Sequence, residues 1–250
     1  MKLHRPQDKL KMDIEEISVD AHSQKGARRE NNQDTIVAFD WVNDQSIPDT
    51  FNANFTEKIL PNLFLLADGV GGHEDGAIAS RKSVEIVMEL FDRGATDFNI
   101  TIGIVAAHSA LNLRPQSSHR KMGTTIVGLV LSPNNTLIFN VGDSRAYLIG
   151  NKKLLLLSID DVDETKPKNI ITQCIGGGAK IPKPHLLSLK REKEDAFILL
   201  SDGVTDWLSE TKIFEILSST EIEKSLLICK EAVRAGSDDD VSALIVKRLT

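Results

Sequence analysis

The sequence predicts an α+β fold in which largely antiparallel sheets and helices form a layered sandwich. Two observations support this prediction. Strands come first and two helices follow, and then a longer set of strands precedes two more helices and a final strand. A parallel doubly wound sheet would instead alternate strand and helix regularly. The 250 residues are 41% apolar and 26% charged, a composition that can bury a substantial core.

Period-two alternation marks the first predicted strand, in which Ile17, Val19 and Ala21 are separated by polar residues. A polar loop leads to a second strand over residues 35–42, and the two strands are predicted to form a hairpin with a charged tip. Residues 43–62 contain two prolines and are predicted to be a loop or an irregular insertion. The stretch LFLLADGVGG then predicts a buried strand that ends on an acid and a glycine-rich turn.

After residue 72 the spacing of apolar residues changes twice along the chain. Two segments have apolar residues at helical spacing and end at a helix breaker: residues 77–91 before Gly94, and residues 98–113 before Pro115. From Met122 the pattern predicts a meander of strands, and the polar residues 158–169 predict an exposed loop. The remaining predictions are strands at 185–189 and 196–200, helices at 211–217 and 221–235, and a last strand after the carboxylate run at 238–240.

Charge and cysteine usage exclude several classes of protein. The net charge of −6 and the pI near 5.6 argue against a general binder of nucleic acid or anionic membranes. Cys174 and Cys229 stand in unrelated contexts, so neither a disulfide framework nor a cysteine-rich zinc site is expected. Residues 1–12 form a polar tail with no secretory or membrane-anchoring pattern, and residues 13–250 are predicted to be one domain. We expect a cytoplasmic location.

Acidic residues stand at a strand end in five places. They are Asp34, Asp68, Asp143, Asp202 with Asp206, and the run 238–240. Because the end of one antiparallel strand lies beside the start of its neighbour, these acids can converge on one edge. Converging carboxylates repel one another unless a cation neutralises them, and ligation by oxygen alone selects Mg²⁺ or Mn²⁺. Two such ions about 3.5–4 Å apart hydrolyse phosphate esters, and Arg29 could hold the phosphate oxygens bidentately.

Six short motifs make a resemblance explicit. In order they are RENNQD, ADGVGG, MGTT, GDSRAY, SDGVTD and GSDDDVS. Together they resemble the metal-dependent protein phosphatase 2C family, especially its compact bacterial members, from about residue 17 to residue 246. The resemblance implies a four-layer α-β-β-α sandwich of two mainly antiparallel sheets flanked by helices. It also implies hydrolysis of phosphoserine and phosphothreonine in proteins by direct attack of a metal-bound water.

The resemblance assigns ligands to two Mn²⁺ or Mg²⁺ ions in each subunit. Asp68 would bridge the two ions. Asp202 and Asp239 would complete the ligands of the first ion, and Asp34 with the Gly69 carbonyl would be ligands of the second. This assignment makes Asp68 one of two catalytic residues.

Arg29 matches the phosphate-binding arginine of the family, so it is both the second catalytic residue and the substrate-binding residue. Asp143, with Asp202 and Asp206, matches a third metal position of bacterial relatives. The partners implied are phosphorylated proteins and a counteracting serine/threonine kinase, with no nucleic acid or membrane, and the enzyme is expected to be a monomer.

Three departures from the family pattern stand out. Val70 occupies the place where many eukaryotic members have a histidine proposed as general acid, so leaving-group protonation falls to water, and nearby His73 is read as a surface residue. Asp240 stands where the family usually has asparagine, which adds a negative charge that can tighten metal binding or raise a neighbour's pKa. Residues 158–172 are much shorter than the usual flap segment beside the active site.

Alternatives remain open at this level. The chain could be a catalytically weak scaffold that binds phosphoproteins, or a small-molecule phosphatase, since the flap that shapes the substrate surface is short. Arg28 is read as a solvated neighbour of Arg29, and Asp238 as an exposed neighbour of Asp239. Gly71, Gly72, Thr124 and Thr125 are assigned to backbone geometry, and Ser144 and Arg145 to the turn that contains them.

Overall fold

The fold was examined in a computed structural model of the chain. It describes residues 15–57, 61–70, 74–91, 97–113, 122–163, 165, 170–178, 180–190, 192 and 195–249. The predictions for residues 1–12 and for Gly71, Gly72, His73, Gly94 and Pro115 lie outside these ranges. No helix within the described ranges is long and apolar enough to cross a membrane.

The described chain contains fifteen strands and five helices. The strands are β1 (Glu15–Gln24), β2 (Thr35–Ala38), β3 (Trp41–Val42), β4 (Asp49–Glu57), β5 (Asn62–Ala67), β6 (Gly69–Val70), β7 (Gly123–Thr124), β8 (Ile126–Leu131), β9 (Asn135–Val141), β10 (Arg145–Ile149), β11 (Leu154–Leu156), β12 (Ile175–Gly176), β13 (His185–Lys190), β14 (Ala196–Leu200) and β15 (Val241–Leu249). The helices are α1 (Glu74–Phe91), α2 (Asp97–Leu113), α3 (Asp202–Thr205), α4 (Glu210–Leu217) and α5 (Lys224–Ala235).

Two six-stranded antiparallel sheets form the centre of the molecule. The first sheet has the order β11-β10-β14-β15-β1-β4, and the second has the order β13-β9-β8-β5-β2-β3. In the first sheet Val19 of β1 lies between Val246 of β15 and Ala53 of β4. A small third sheet of order β12-β7-β6, which the sequence did not predict, continues from the second sheet toward α1 and α2.

Three apolar clusters correspond to the three interfaces of a four-layer sandwich. One cluster joins the inner faces of the two large sheets through residues such as Val19 and Leu66. A second lies between the second sheet and α1 and α2, and a third lies between the first sheet and α3, α4 and α5. The α+β class and the α-β-β-α layering predicted above are therefore confirmed.

The predicted hairpin between the first two strands is wrong. β1 pairs with β15 and β4 in the first sheet, whereas β2 pairs with β3 and β5 in the second. Both strands are apolar on the face turned to the other sheet, so Ile17 and Ile36 belong to the same inter-sheet cluster. Burial between the sheets therefore decides their partners, and the loop that carries Arg29 crosses from one sheet to the other.

The predicted loop over residues 43–62 is also wrong, because it contains the nine-residue strand β4. Phe51 and Ala53 alternate with Asn52 and Asn54, which is a strand pattern. Because asparagine is depleted in strands, the sequence did not indicate a strand here. β4 is an edge strand, where such polar residues are tolerated. The single strand predicted over residues 35–42 is split by a tight turn in which Phe39 has a φ of 58°.

The predicted meander breaks between β9 and β10, since β9 lies in the second sheet and β10 in the first. The break places Asp143 at the turn where the chain changes sheets. The described residues of the predicted loop after β11 are largely irregular, as expected, but they are not all exposed. Ser158 and Asp161 are buried because they hydrogen-bond to the backbone of Ala146 and Gly142.

Candidate metal centre

Four predicted ligands lie at strand ends that meet on one edge of the sandwich. Asp68 follows β5 and Asp202 follows β14, whereas Asp143 precedes β10 and Asp239 precedes β15. The pairing of β14 with both β10 and β15 brings the last three of these ends together within the first sheet. The antiparallel arrangement thus collects acids that are more than 170 positions apart in the sequence, from Asp68 to Asp239.

A cavity of about 280 Å³ lies between these strand ends. It is lined by Arg29, Asp68, Gly69, Val70, Thr125, Asp143, Ile171, Asp202 and Asp239. A larger open groove of about 790 Å³ lies between β4 and α5, but its lining residues include only two acids, Glu221 and Glu223. All the predicted site residues except Asp34 and Asp206 line this small cavity.

Asp34 and Asp68 form the most strongly perturbed pair. Asp34 is fully buried beneath the cavity, and burial followed by repulsion from Asp240 raises its pKa well above the usual range. The Ser242 hydroxyl weakens this shift, but neither oxygen of Asp34 makes a hydrogen bond of good geometry in the described part of the chain. Burial and the charges of Asp34 and Asp202 likewise raise the pKa of Asp68 well above its usual range.

Asp202 and Asp143 form the other side of the acidic cluster. Burial and the charge of Asp239 raise the pKa of Asp202 to about 6. Burial and the charge of Asp202 raise the pKa of Asp143 to about 7. Asp206 is exposed at the end of the short, unpredicted helix α3, and its charge contributes to both shifts.

Arg29 lies at the side of the cavity with its guanidinium directed at Asp239. Nε donates to Asp239 Oδ1 and Nη2 donates to Oδ2, each at 2.7 Å. Burial lowers the pKa of Arg29, but the hydrogen bonds and charge of the Asp239 carboxylate raise it by more, so the pKa of Arg29 is raised overall. Arg28 points away from the cavity, since its side chain is 81% exposed and pairs with Asp238.

Asp240 is a structural residue that the sequence interpretation did not recognise as such. Its Oδ1 accepts the Gly26 N–H and its Oδ2 accepts the Gln33 N–H, both at 2.8 Å. One carboxylate therefore fixes both ends of the loop that carries Arg29. Asparagine would place a donor NH2 group against one of these two backbone N–H groups, so it could not replace both carboxylate oxygens. The negative charge of Asp240 also raises the pKa of Asp34. The sequence analysis predicted such an effect on a neighbouring acid.

Two glycines lie in close contact with the backbone of Asp239 and Asp240, just before β15. A Cβ on Gly26 would lie 2.3 Å from the Asp239 carbonyl oxygen, and a Cβ on Gly203 would lie 1.9 Å from that of Asp240. Any side chain at either position would therefore force the backbone apart. Gly203 belongs to the SDGVTD motif, but Gly26 carried no signal in the sequence because its neighbour is more than 200 positions away.

Two threonines hold Asp68 by its backbone. The Asp68 N–H donates to Thr125 Oγ1, and the Asp68 carbonyl accepts from the Thr125 N–H at 2.8 Å and from Thr124 Oγ1 at 2.7 Å. Ser144 Oγ lies 2.8 Å from Thr125 Oγ1 and so connects this support to the turn at Asp143. These contacts agree with the backbone role inferred for the MGTT motif.

The segment after β11 contributes acids that sequence reasoning missed. Asp160 accepts from both Nε and Nη2 of Arg145, at 2.9 and 2.7 Å, and its charge adds to the raised pKa of Asp143. Asp161 accepts the Gly142 N–H at 2.9 Å and binds the side chains of Gln173 and His185. Both had been assigned to an exposed loop because nothing local in SIDDVDE distinguishes an inward acid from an outward one.

The donor set fits hard divalent cations. Every predicted ligand is a carboxylate or a backbone carbonyl, which are the ligands that Mg²⁺ and Mn²⁺ prefer. In the part of the chain that the structure describes, three buried oxygens of the predicted ligands, Asp34 Oδ1, Asp34 Oδ2 and Asp202 Oδ1, have no hydrogen-bond partner. Within the described ranges, no group of three or more acidic, histidine or cysteine side chains has the arrangement of the ligands of a single metal ion. The acids instead face Arg29 and one another.

The raised pKa values predict that, in EDTA, stability falls as pH rises. An acid whose pKa is raised by folding stabilises the folded state when protonated, and this contribution disappears as pH rises through the folded-state value. We expect a higher melting temperature at about pH 6.5 than at about pH 8, because Asp143 titrates near 7. This window lies above the range in which buried His22, whose pKa is lowered by burial, gains a proton.

Thermal unfolding at several pH values in EDTA checks this prediction. Asp143→Asn removes one of the titrating groups and should flatten the profile around pH 7. An unchanged or rising melting temperature between pH 6.5 and pH 8 in the original protein would contradict the raised pKa values.

Comparison with known proteins places these features in a family. A family model described as "Protein phosphatase 2C" matches residues 42–226. The "Serine/threonine phosphatase stp" of Listeria monocytogenes is 28% identical over 221 residues, which cover 78% of this chain and 87% of that protein. A serine/threonine phosphatase structure from S. agalactiae has a TM-score of 0.76 at 27% identity, covering 92% of this chain and 98% of that one.

A further structural relative concerns the metal. The catalytic domain of the serine/threonine protein phosphatase PstP, determined "in complex with 2 Manganese ions", has a TM-score of 0.70 and 24% identity. The comparison covers 94% of this chain and 100% of that one. At this identity the comparison shows a shared fold.

Proposed function

We infer that this chain, which belongs to the protein phosphatase 2C family, is a metal-dependent hydrolase of phosphoserine and phosphothreonine in proteins. One observation carries the inference. Carboxylates from separate strand ends meet in a single cavity with a guanidinium at its side. The acids supply oxygen ligands for Mn²⁺ or Mg²⁺, which family members use, and the guanidinium matches the geometry of a phosphate.

We propose the following roles for the acids. Asp68 would serve as a ligand of both ions, Asp202 and Asp239 would complete the ligands of the first, and Asp34 with the Gly69 carbonyl would hold the second. Asp68 is central to the cavity and has its backbone fixed on both sides by Thr125. The unpartnered oxygens of Asp34 and Asp202 support ligand roles, because buried carboxylate oxygens are costly to leave without a partner.

A third position formed by Asp143, Asp202 and Asp206 remains part of the proposal. The support for it is electrostatic, since the charges of Asp202 and Asp206 both raise the pKa of Asp143. Asp160 adds a fourth negative charge at this place. A cation there would relieve the repulsion among these acids.

The protein's own groups bind and orient the substrate. When bound, the two ions would supply a water of lowered pKa and positive charge opposite the phosphoryl oxygens. Arg29 would bind phosphate oxygens with the same pair of N–H groups that now hold Asp239, so it must exchange this partner when substrate enters. Val70 offers no proton beside the cavity, and we propose that water protonates the leaving group.

The wider setting of the reaction is also a proposal. The substrates are phosphoproteins, so a protein serine/threonine kinase must first add the phosphate that this enzyme removes. We further propose that residues 13–250 act as one catalytic domain, that the enzyme is a monomer and that it works in the cytoplasm.

Phosphate release from a phosphothreonine peptide in saturating Mn²⁺ tests the proposed function. We expect multiple turnovers of the peptide and slower turnover of small phosphate esters. Tight binding of the peptide with no phosphate release would instead indicate a scaffold. Efficient hydrolysis of small esters alone would indicate a small-molecule phosphatase.

A further inference from the structure

The catalytic cavity has apolar as well as charged lining residues. Val70 and Ile171 line it together with the acids and Arg29, and Val70 is 39% exposed. Val70 has no proton to donate, and it leaves an apolar surface in the lining of the cavity. Neither residue has a role in holding metal or phosphate.

The apolar surface continues outward from the cavity. Val162 and Ile171 form an isolated antiparallel bridge, and side chains of directly paired residues project from the same side. Val162 is 38% exposed, so it extends the surface that Ile171 begins. We call Val70, Val162 and Ile171 the apolar rim.

The apolar rim is held in a fixed position. The residues next to the bridge are joined by a hydrogen bond of 2.6 Å from the Thr172 N–H to the Asp161 carbonyl. The side chain of Asp161 accepts from the Gly142 N–H, Gln173 Nε2 and His185 Nε2 at 2.7–2.9 Å. The rim is therefore connected through Asp161 to the turn that carries Asp143, and it stands at a defined distance from the acids.

From this geometry we propose that the apolar rim selects phosphoproteins with an aliphatic or aromatic residue next to the phosphorylated serine or threonine. The proposal rests on the proposed function. A phosphate held by Arg29 and the metal ligands places the adjoining residues of the substrate chain over the edge of the cavity. The rim is continuous with that cavity, and an apolar neighbour would remove its exposed carbon surface from water.

The test compares three phosphothreonine peptides and one smaller substrate in saturating Mn²⁺. The first peptide has leucine before the phosphothreonine and serine after it, the second has the reverse, and the third has serine at both places. The smaller substrate is N-acetyl phosphothreonine amide, which has no neighbouring side chain. We expect one leucine peptide to exceed the serine peptide about tenfold in kcat/KM, mainly through a lower KM.

Polar substitutions then locate the preference. Val162→Thr keeps the shape of the side chain and Ile171→Thr removes one carbon as well as adding a hydroxyl, and each should reduce the ratio between leucine and serine peptides. Each ratio is measured within one variant, so a general loss of activity cancels. Melting temperatures identify variants that fold poorly.

The outcomes separate this proposal from the proposed function. Equal kcat/KM for all three peptides, within about twofold, overturns the rim proposal while leaving the phosphatase activity in place. A leucine preference that persists in both variants also overturns it. Failure to hydrolyse any peptide and the smaller substrate would overturn the proposed function and this proposal together.

Discussion

Asp68→Asn should reduce phosphatase turnover at least about a thousandfold while making the metal-free protein more stable. The loss follows from the proposed position of Asp68 between two ions, each of which contributes several kcal/mol to the transition state. The gain follows from the raised pKa of Asp68, because the folded state disfavours its charged form at neutral pH. Asparagine has a similar shape and no charge to desolvate.

The increase in stability should be about 1 kcal/mol, or roughly 2–4 °C in melting temperature for a protein of this size. Phosphate release in Mn²⁺ and thermal unfolding in EDTA measure the two effects. Asp40→Asn is the matched control, because Asp40 is an exposed acid in a turn and its replacement should change neither quantity appreciably.

Retention of more than about a tenth of the turnover by Asp68→Asn would contradict the bridging role. A lower melting temperature in EDTA would contradict the electrostatic argument but not the ligand assignment. The two readouts therefore test the chemistry and the repulsion separately.

Arg29→Ala should lower kcat/KM for a phosphopeptide by about 10²–10³-fold, the usual cost of removing a donor aimed at transition-state charge. Arg29→Lys should restore only part of it, because lysine keeps the charge but lacks the paired N–H groups. Steady-state kinetics in saturating Mn²⁺ measures both variants.

Arg28→Ala is the control for Arg29, since the two arginines are adjacent but only Arg29 lines the cavity. We expect Arg28→Ala to stay within about twofold of the original enzyme, because exposed ion pairs contribute little. Equal losses in the two alanine variants would show that the general positive charge of the loop matters, and not the Arg29 guanidinium.

The sequence indicated which acids lie near one another better than it indicated the connections of the fold. An acid directly after an apolar strand, as at Asp68 and Asp202, is a local pattern, and antiparallel pairing brings such acids to one edge whichever strands are neighbours. The family model matches residues 42–226, so Arg29 lies before the match and Asp239 after it, and their places in the site rest on the motifs and on the structure. Their ion pair brings together two residues whose separation in sequence gives no hint of contact.

What could not be predicted depended on partners distant in sequence. β1 and β2 look like a hairpin locally, but burial between two sheets separates them. β4 has asparagines on its exposed face, a residue type that is depleted in strands, and it lies at a sheet edge, where such residues are tolerated. Asp240 and Asp161 were read as a motif departure and a loop residue, since their hydrogen bonds reach backbone groups of other segments.

The position of β15 between β14 and β1 has a consequence for synthesis of the protein. A growing chain that has not yet added residues 239–249 has Asp34, Asp68 and Asp202, but it lacks the strand that joins β14 to β1. It also lacks the Asp240 carboxylate that fixes the Arg29 loop. Domains fold as units, so the active arrangement forms only when the last strand has left the ribosome. We therefore expect chains that lack residues 239–249 not to assemble the proposed site.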